Sequence, residues 1–179
     1  MDWIAWFSKQ LQSSAEGFEW AFESVPERLR TDVPIDSKYM GRWPAVRHVW
    51  HVTEYERCLA LPWMRTWLGG ERPADDAWMD NDEAWGATSA VSPKDLIERF
   101  WDVRRQELAL LSDLQGVDWS APRETIWGVK PLSWVVSKTY QHTFEHGDTL
   151  MRMGLWWEHI LEQIALAQAR EAQGSSSTA

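Results

Sequence analysis

The sequence contains a single cysteine, Cys58, among 179 residues, so no disulfide can form within the chain. That composition suits a reducing compartment. No apolar run approaches the roughly 18 residues that a membrane span requires, and the first residues lack the basic segment of a secretory signal. We therefore expect a cytoplasmic protein with no membrane partner.

Basic residues are also scarce, with 18 Lys and Arg against 27 Asp and Glu, giving a formal net charge of −9. Nucleic acids and anionic membranes bind basic surfaces, so we expect neither as a partner. The sequence lacks the glycine-rich phosphate loops and the G-x-S-x-G turn. Nucleotide binding and serine-hydrolase chemistry therefore have no support.

The feature that is present throughout is helical periodicity, with apolar residues every three or four positions. It predicts an all-α fold, a four-helix bundle with an additional C-terminal helix. We expect one domain over residues 1–173 and a disordered tail at 174–179. Ser92 is expected to cap the third bundle helix, Pro62 to kink or split the second, and Gly154 to end the fourth. No alternation long enough for a sheet is found. The predicted helices lie at about 4–25, 43–68, 92–116, 132–153 and 156–172.

Histidines form the clearest candidate site, because four of the five fall in two tight pairs. His142 and His146 are spaced i, i+4 on the apolar face of a predicted helix, so both rings point into the bundle. His51 lies on a similar inward stripe. Buried imidazoles without partners are costly, and a divalent metal ion removes that cost. His48 lies about 60° around the helix from His51. It could bind the metal itself, but it is expected beside a ligand at the edge of the site.

Two segments resemble the signatures of the DinB/YfiT-like superfamily: WPAVRHVWHVTEYE at residues 43–56, and GVKPLSW at 128–134 leading into HTFEH. The resemblance implies a four-helix bundle, often a homodimer, whose metal ligands correspond to His51, His142 and His146. It implies one divalent ion, expected to be nickel or zinc, with iron as the alternative. Characterised relatives are S-transferases and isomerases that use a low-molecular-weight thiol, so a small-molecule substrate is expected.

The expected function is a metal-dependent enzyme that activates a thiol or water. The alternatives are a metal-dependent hydrolase and a non-catalytic, stress-related protein with a structural metal. Glu145 is a candidate base or a polar residue on the helix flank. Glu54 either orients a ligand imidazole or is solvated. Tyr55 either lines the open side of the metal or packs in the core.

Three other features have competing interpretations. HTFEH also fits the inverted zinc-protease motif HxxEH, but a short sheet-free chain with His51 as a third ligand disfavours it. The acidic connection at 69–91 lacks EF-hand spacing and is expected to be a solvated loop. The chain has 15 tryptophans. Those in the long connections are expected to cover a substrate pocket or a dimer interface; they are Trp78, Trp85, Trp119 and Trp127.

Overall fold

The computed structural model describes residues 2–74, 80, 82–88 and 90–176. Within these residues the architecture is an all-α bundle, which confirms the predicted fold class. The long helices are α1 (Trp3–Ser24), α3 (Ala45–Tyr55) with its continuation, α6 (Pro93–Asp113) and α7 (Leu132–Ser176). Shorter elements connect them, namely α2 (Ser37–Met40), α5 (Asp82–Thr88) and 3₁₀ turns at Glu27–Leu29 and Thr66–Leu68.

The predicted cap of α6 is confirmed. The Ser92 side chain accepts a hydrogen bond from the Asp95 backbone N–H at 3.1 Å, and Pro93 occupies the first turn, where its missing N–H costs nothing. Asp2 caps α1 in the same way, accepting from the Ala5 N–H at 3.0 Å. These side chains fix where two bundle helices begin.

The second bundle helix is split near Pro62, as predicted. After α3 the chain forms a π-helical segment, Glu56–Ala60, and then a short helix α4, Leu61–Arg65. Pro62 has no N–H to close an ordinary helical hydrogen bond, and a widened turn before it accommodates that loss. The π segment places the Glu56 side chain inside the bundle, where it is fully buried.

The prediction that Gly154 ends the fourth helix was wrong. α7 runs without a break from Leu132 to Ser176, so the additional C-terminal helix is its continuation and extends into the segment predicted as a tail. Residues 177–179 lie outside the described part of the chain. A Cβ on Gly154 would lie 2.3 Å from the Ser24 Oγ atom, so this glycine permits close packing of α7 on α1 instead of a turn.

The expectation of no sheet was also wrong in one connection. β1 (Pro122–Thr125) and β2 (Gly128–Pro131) form an antiparallel hairpin with Thr125 opposite Gly128. Gly128 has φ +83°, the left-handed conformation that tight turns favour. Each strand is four residues long, too short for an alternation to be detected. The hairpin leads directly into α7 and sets the position where that helix begins.

Two of the tryptophans expected to cover a substrate pocket or a dimer interface instead pack in or against the apolar core. Trp119 is buried and stacks on Phe7 with ring centroids 5.2 Å apart. Trp85, on α5, packs against Trp50 at 5.6 Å and so attaches this short helix to α3. Trp78 lies outside the described residues. The aromatic residues thus join the connections to the bundle.

Candidate metal centre

The site lies between α3 and α7, which pack against each other in the bundle. α3 carries His51 on its buried face, and α7 carries His142 and His146 one turn apart. His51 and His142 are buried, with 8% and 9% of their surfaces exposed, and His146 is half-buried. The three imidazoles therefore meet inside the bundle, close to its surface.

The spacing of the ring nitrogens fits one shared ion. One nitrogen from each of His51, His142 and His146 lies within 4.8 Å of the others. The Nε2 atoms of His51 and His142 are 3.1 Å apart. Two imidazole nitrogens bound to one ion at about 2.0–2.1 Å lie about 2.8–3.4 Å apart, from neighbouring octahedral to tetrahedral positions. The donor set and its spacing can therefore hold a divalent ion.

Burial keeps these imidazoles neutral. It lowers the pKa of His51 from 6.5 to about 4, with Arg47 adding to the shift. It lowers the pKa of His146 to about 3 and that of His142 to about 2, with the neighbouring imidazoles contributing. At neutral pH each ring has one nitrogen lone pair, the form that binds a metal ion.

A fourth histidine and a tryptophan support the ligand rings. The Nδ1 atom of His48 lies 2.7 Å from the Nδ1 atom of His146, so His48 touches a candidate ligand from the edge of the site, as its helical position predicts. The Trp43 ring centroid lies 5.0 Å from that of His51 and 6.0 Å from that of His146. These contacts limit how far the imidazoles can rotate.

Comparison with protein-family models supplies the classification. Residues 10–150 match the model described as the DinB superfamily. The chain belongs to the DinB superfamily. Comparisons with curated proteins and with solved structures give no match. No helix among the described residues of this DinB-superfamily protein is long and apolar enough to cross a membrane.

Of the other candidate residues, Tyr55 lies nearest the histidines of this DinB-superfamily site. Its ring centroid is 4.2 Å from that of His142 and 6.2 Å from that of Trp127, at the hairpin turn. Burial raises the pKa of Tyr55, so its hydroxyl stays protonated. Tyr55 thus forms an aromatic wall beside His142, and Trp127, one of the connection tryptophans that the structure describes, extends this wall by packing on Tyr55.

The two candidate glutamates occupy different positions. Glu145 is exposed on α7, 3.6 Å from the Lys138 ammonium, and is close enough to His146 that its charge partly offsets the lowering of that residue's pKa by burial. Glu54 pairs instead with Arg57 at 2.5 Å, and its carboxylate lies 3.7 Å from the Cys58 sulfur. The structure does not bring Glu54 to the imidazole it was expected to orient. Its side chain lines a cleft between α3 and α6.

A buried ionic network beneath the site was not predicted. The Arg104 guanidinium, on α6, pairs with Glu56 and lies 3.1 Å from a Glu107 oxygen, and all three side chains are fully buried. Thr143, adjacent to His142, accepts from Arg104 at 2.9 Å and donates to Glu56 at 3.0 Å. The network thereby fixes the turn of α7 that carries the ligands. Its sequence signal was available, because Arg104 and Glu107 follow Phe100 at positions i+4 and i+7, on the apolar seam of α6.

The metal-free protein is expected to lose stability as the pH falls from about 7 to about 4. An unfolded histidine binds a proton near pH 6.5, whereas folded His51, His142 and His146 have pKa values of about 4, 2 and 3. The unfolded state therefore binds more protons in this window, and acid favours unfolding by on the order of 1–2 kcal/mol per imidazole. Urea titrations with excess chelator at about pH 7.5 and about pH 5 measure the loss.

The variant His142→Gln isolates this effect, because glutamine is similar in length and does not titrate. Its stability is expected to fall less between the same two pH values. An equal fall in the variant and the native protein would mean that His142 is protonated in the folded state.

Proposed function

We propose that this protein is a metal-dependent enzyme that activates a low-molecular-weight thiol for S-transfer or isomerisation. The observation that carries the proposal is the convergence of three neutral imidazoles close to the surface of the bundle. Three histidine ligands leave a coordination position for an exogenous group, which distinguishes catalytic from closed structural sites. Nickel and zinc both suit an imidazole donor set.

Side chains of the protein bind the substrate and accept the proton in the proposed reaction. A divalent ion at this site would supply the Lewis acidity that lowers the pKa of a thiol. Tyr55 and Trp127 shield the position beside His142 from water and favour a substrate with an apolar or aromatic portion. Glu145, the carboxylate next to His146, accepts the thiol proton. The sulfur then bonds to an electrophilic carbon of the second substrate, whose leaving group departs with the bonding electron pair.

The test is a thiol-transfer assay on protein loaded separately with nickel and with zinc. Glutathione, bacillithiol and mycothiol are each supplied with 1-chloro-2,4-dinitrobenzene, and chloride displacement is followed by absorbance. Turnover is expected to require both metal and thiol, to disappear in His146→Ala and to persist in His159→Ala. His159 is a suitable control because it is exposed on the C-terminal part of α7.

A second experiment tests thiol binding in the absence of an electrophile. Cobalt(II)-substituted protein is titrated with the same thiols, and a sulfur-to-cobalt charge-transfer band is expected with at least one of them. A cobalt spectrum that none of the thiols alters would overturn the proposal. The proposal would also be overturned if the metal-loaded protein hydrolysed an ester substrate at the same rate with and without a thiol.

A further inference from the structure

Asp80 departs from the solvated loop expected at residues 69–91. One of its carboxylate oxygens, Oδ2, lies 3.1 Å from the Nδ1 atom of His51. Its side chain is 23% exposed, whereas that of Asp82, two residues later, is 89% exposed. A carboxylate from the connection before α5 is therefore packed against a candidate metal ligand.

The contact is on the far side of the imidazole from the metal position. The Nε2 atom of His51 lies 3.1 Å from the His142 Nε2 atom, while its Nδ1 atom faces Asp80. A neutral imidazole carries its proton on one nitrogen and its metal-binding lone pair on the other. A carboxylate 3.1 Å from Nδ1 favours the tautomer that carries its proton on that nitrogen, which leaves the Nε2 lone pair for the ion.

Arg47 holds this carboxylate in place. Its Nη2 atom lies 3.7 Å from Oδ1 of Asp80, so the two carboxylate oxygens face two different partners. The other end of the guanidinium bonds to Asp82 at 2.7 Å. The guanidinium also lies over the Trp43 ring, 4.5 Å from its centroid, and that ring packs on His51. Asp80 is thus fixed between a cation and an imidazole.

We propose that Asp80 is a positioning residue of the metal centre, which sets the tautomer and the ring orientation of His51 from the opposite side of the imidazole. The inference rests on the metal site of the proposed function and not on its thiol chemistry. Asp80 is not assigned as a ligand, because it contacts the nitrogen that faces away from His142. It makes Asp80 part of the metal-binding apparatus.

The test compares Asp80→Ala with Asp82→Ala. Both variants remove a carboxylate that pairs with Arg47, but only Asp80 contacts a histidine. Zinc affinity is measured by competition with a chromophoric chelator. Asp80→Ala is expected to weaken zinc binding about 10–100-fold, the usual effect of removing a carboxylate behind a ligand histidine. Asp82→Ala is expected to stay within about 2-fold of the native protein, because its contact with the site is indirect.

Imidazole ¹⁵N spectra of the metal-free proteins provide a readout that general damage to the fold would not mimic. His51 is expected to carry its proton on Nδ1 in the native protein and in Asp82→Ala, and to populate both tautomers in Asp80→Ala. Asp80→Asn, which retains an acceptor oxygen, is expected to give an intermediate result.

The outcomes separate this inference from the proposed function. Native zinc affinity together with an unchanged His51 tautomer in Asp80→Ala would overturn the role of Asp80 and leave the metal centre intact. Failure of the native protein itself to bind zinc would overturn both. Normal zinc binding in the native protein, with no thiol effect on cobalt, would overturn only the thiol proposal.

Discussion

His142→Ala is expected to lower the affinity of the protein for zinc or nickel by more than about 100-fold, since changes behind a ligand alone cost about 10–100-fold. His142 is adjacent to both other candidate ligands, with its Nε2 atom 3.1 Å from that of His51 and with His146 one turn along α7. Without it, only two imidazoles can bind the ion. Chelator competition measures the loss, and the metal-free melting temperature shows whether the variant folds.

Two further variants make this result specific. His142→Gln fills most of the space that alanine leaves empty, so it separates loss of a ligand from loss of packing. His159→Ala removes an exposed histidine from the same helix and is expected to leave metal affinity unchanged. Equal affinities for native protein and both His142 variants would exclude this residue as a ligand.

Arg104→Met is expected to lower the free energy of unfolding by about 3–5 kcal/mol, the cost of removing one partner of a buried ion pair. The guanidinium bonds to Glu56 in the π-helical segment and to Thr143 in α7. It also donates to the Leu11 carbonyl at 2.6 Å and to the Ser14 hydroxyl at 2.9 Å, both in α1. Its loss would leave several buried polar groups without their donor. Urea denaturation monitored by tryptophan fluorescence measures the change.

The next residue along the chain provides the matched control. Arg105 pairs with Asp102 on the surface, and its side chain is 61% exposed. Arg105→Met is therefore expected to cost no more than about 1 kcal/mol. Similar losses in the two variants would mean that the buried network contributes nothing beyond a surface ion pair.

A substitution at Glu107 separates the contribution of this carboxyl group to the free energy of unfolding from that of Arg104. Burial and the nearby Glu56 carboxylate raise the pKa of Glu107 well above its usual range, which favours the neutral form of this carboxyl group. Glu107→Gln puts a neutral amide in its place and is expected to destabilise the protein far less than Arg104→Met. A loss as large as that of Arg104→Met would indicate that Glu107 is ionised.

The helices and the histidine pair could be predicted because their signals are local. A 3.6-residue period places His142 and His146 on one face whatever the rest of the chain does. A serine followed by a proline predicts a helix start because the hydrogen bond of the cap lies within the first turn. The predicted cap at Ser92 is confirmed. His51 was joined to the pair through the family resemblance and through its own inward stripe.

The remaining features depend on contacts between distant parts of the chain. The contact between Asp80 and His51 joins an acidic connection to a helix, and no periodicity links the two. Glycine is typical of helix ends, but Gly154 lies inside α7 where that helix packs closely on Ser24 of α1. Arg104 and Glu107 lie on the buried face of α6, at positions where the helical period predicts apolar residues. Their burial depends on partners from other elements, above all Glu56 in the π-helical segment.

One ion held by three imidazoles from two helices would give a characteristic zinc X-ray absorption spectrum. The spectrum is recorded on native protein supplied with one equivalent of zinc. Three imidazole nitrogens are expected at about 2.0–2.1 Å from the zinc. A spectrum of hydrated zinc, or of zinc bound without imidazole scattering, would contradict this coordination.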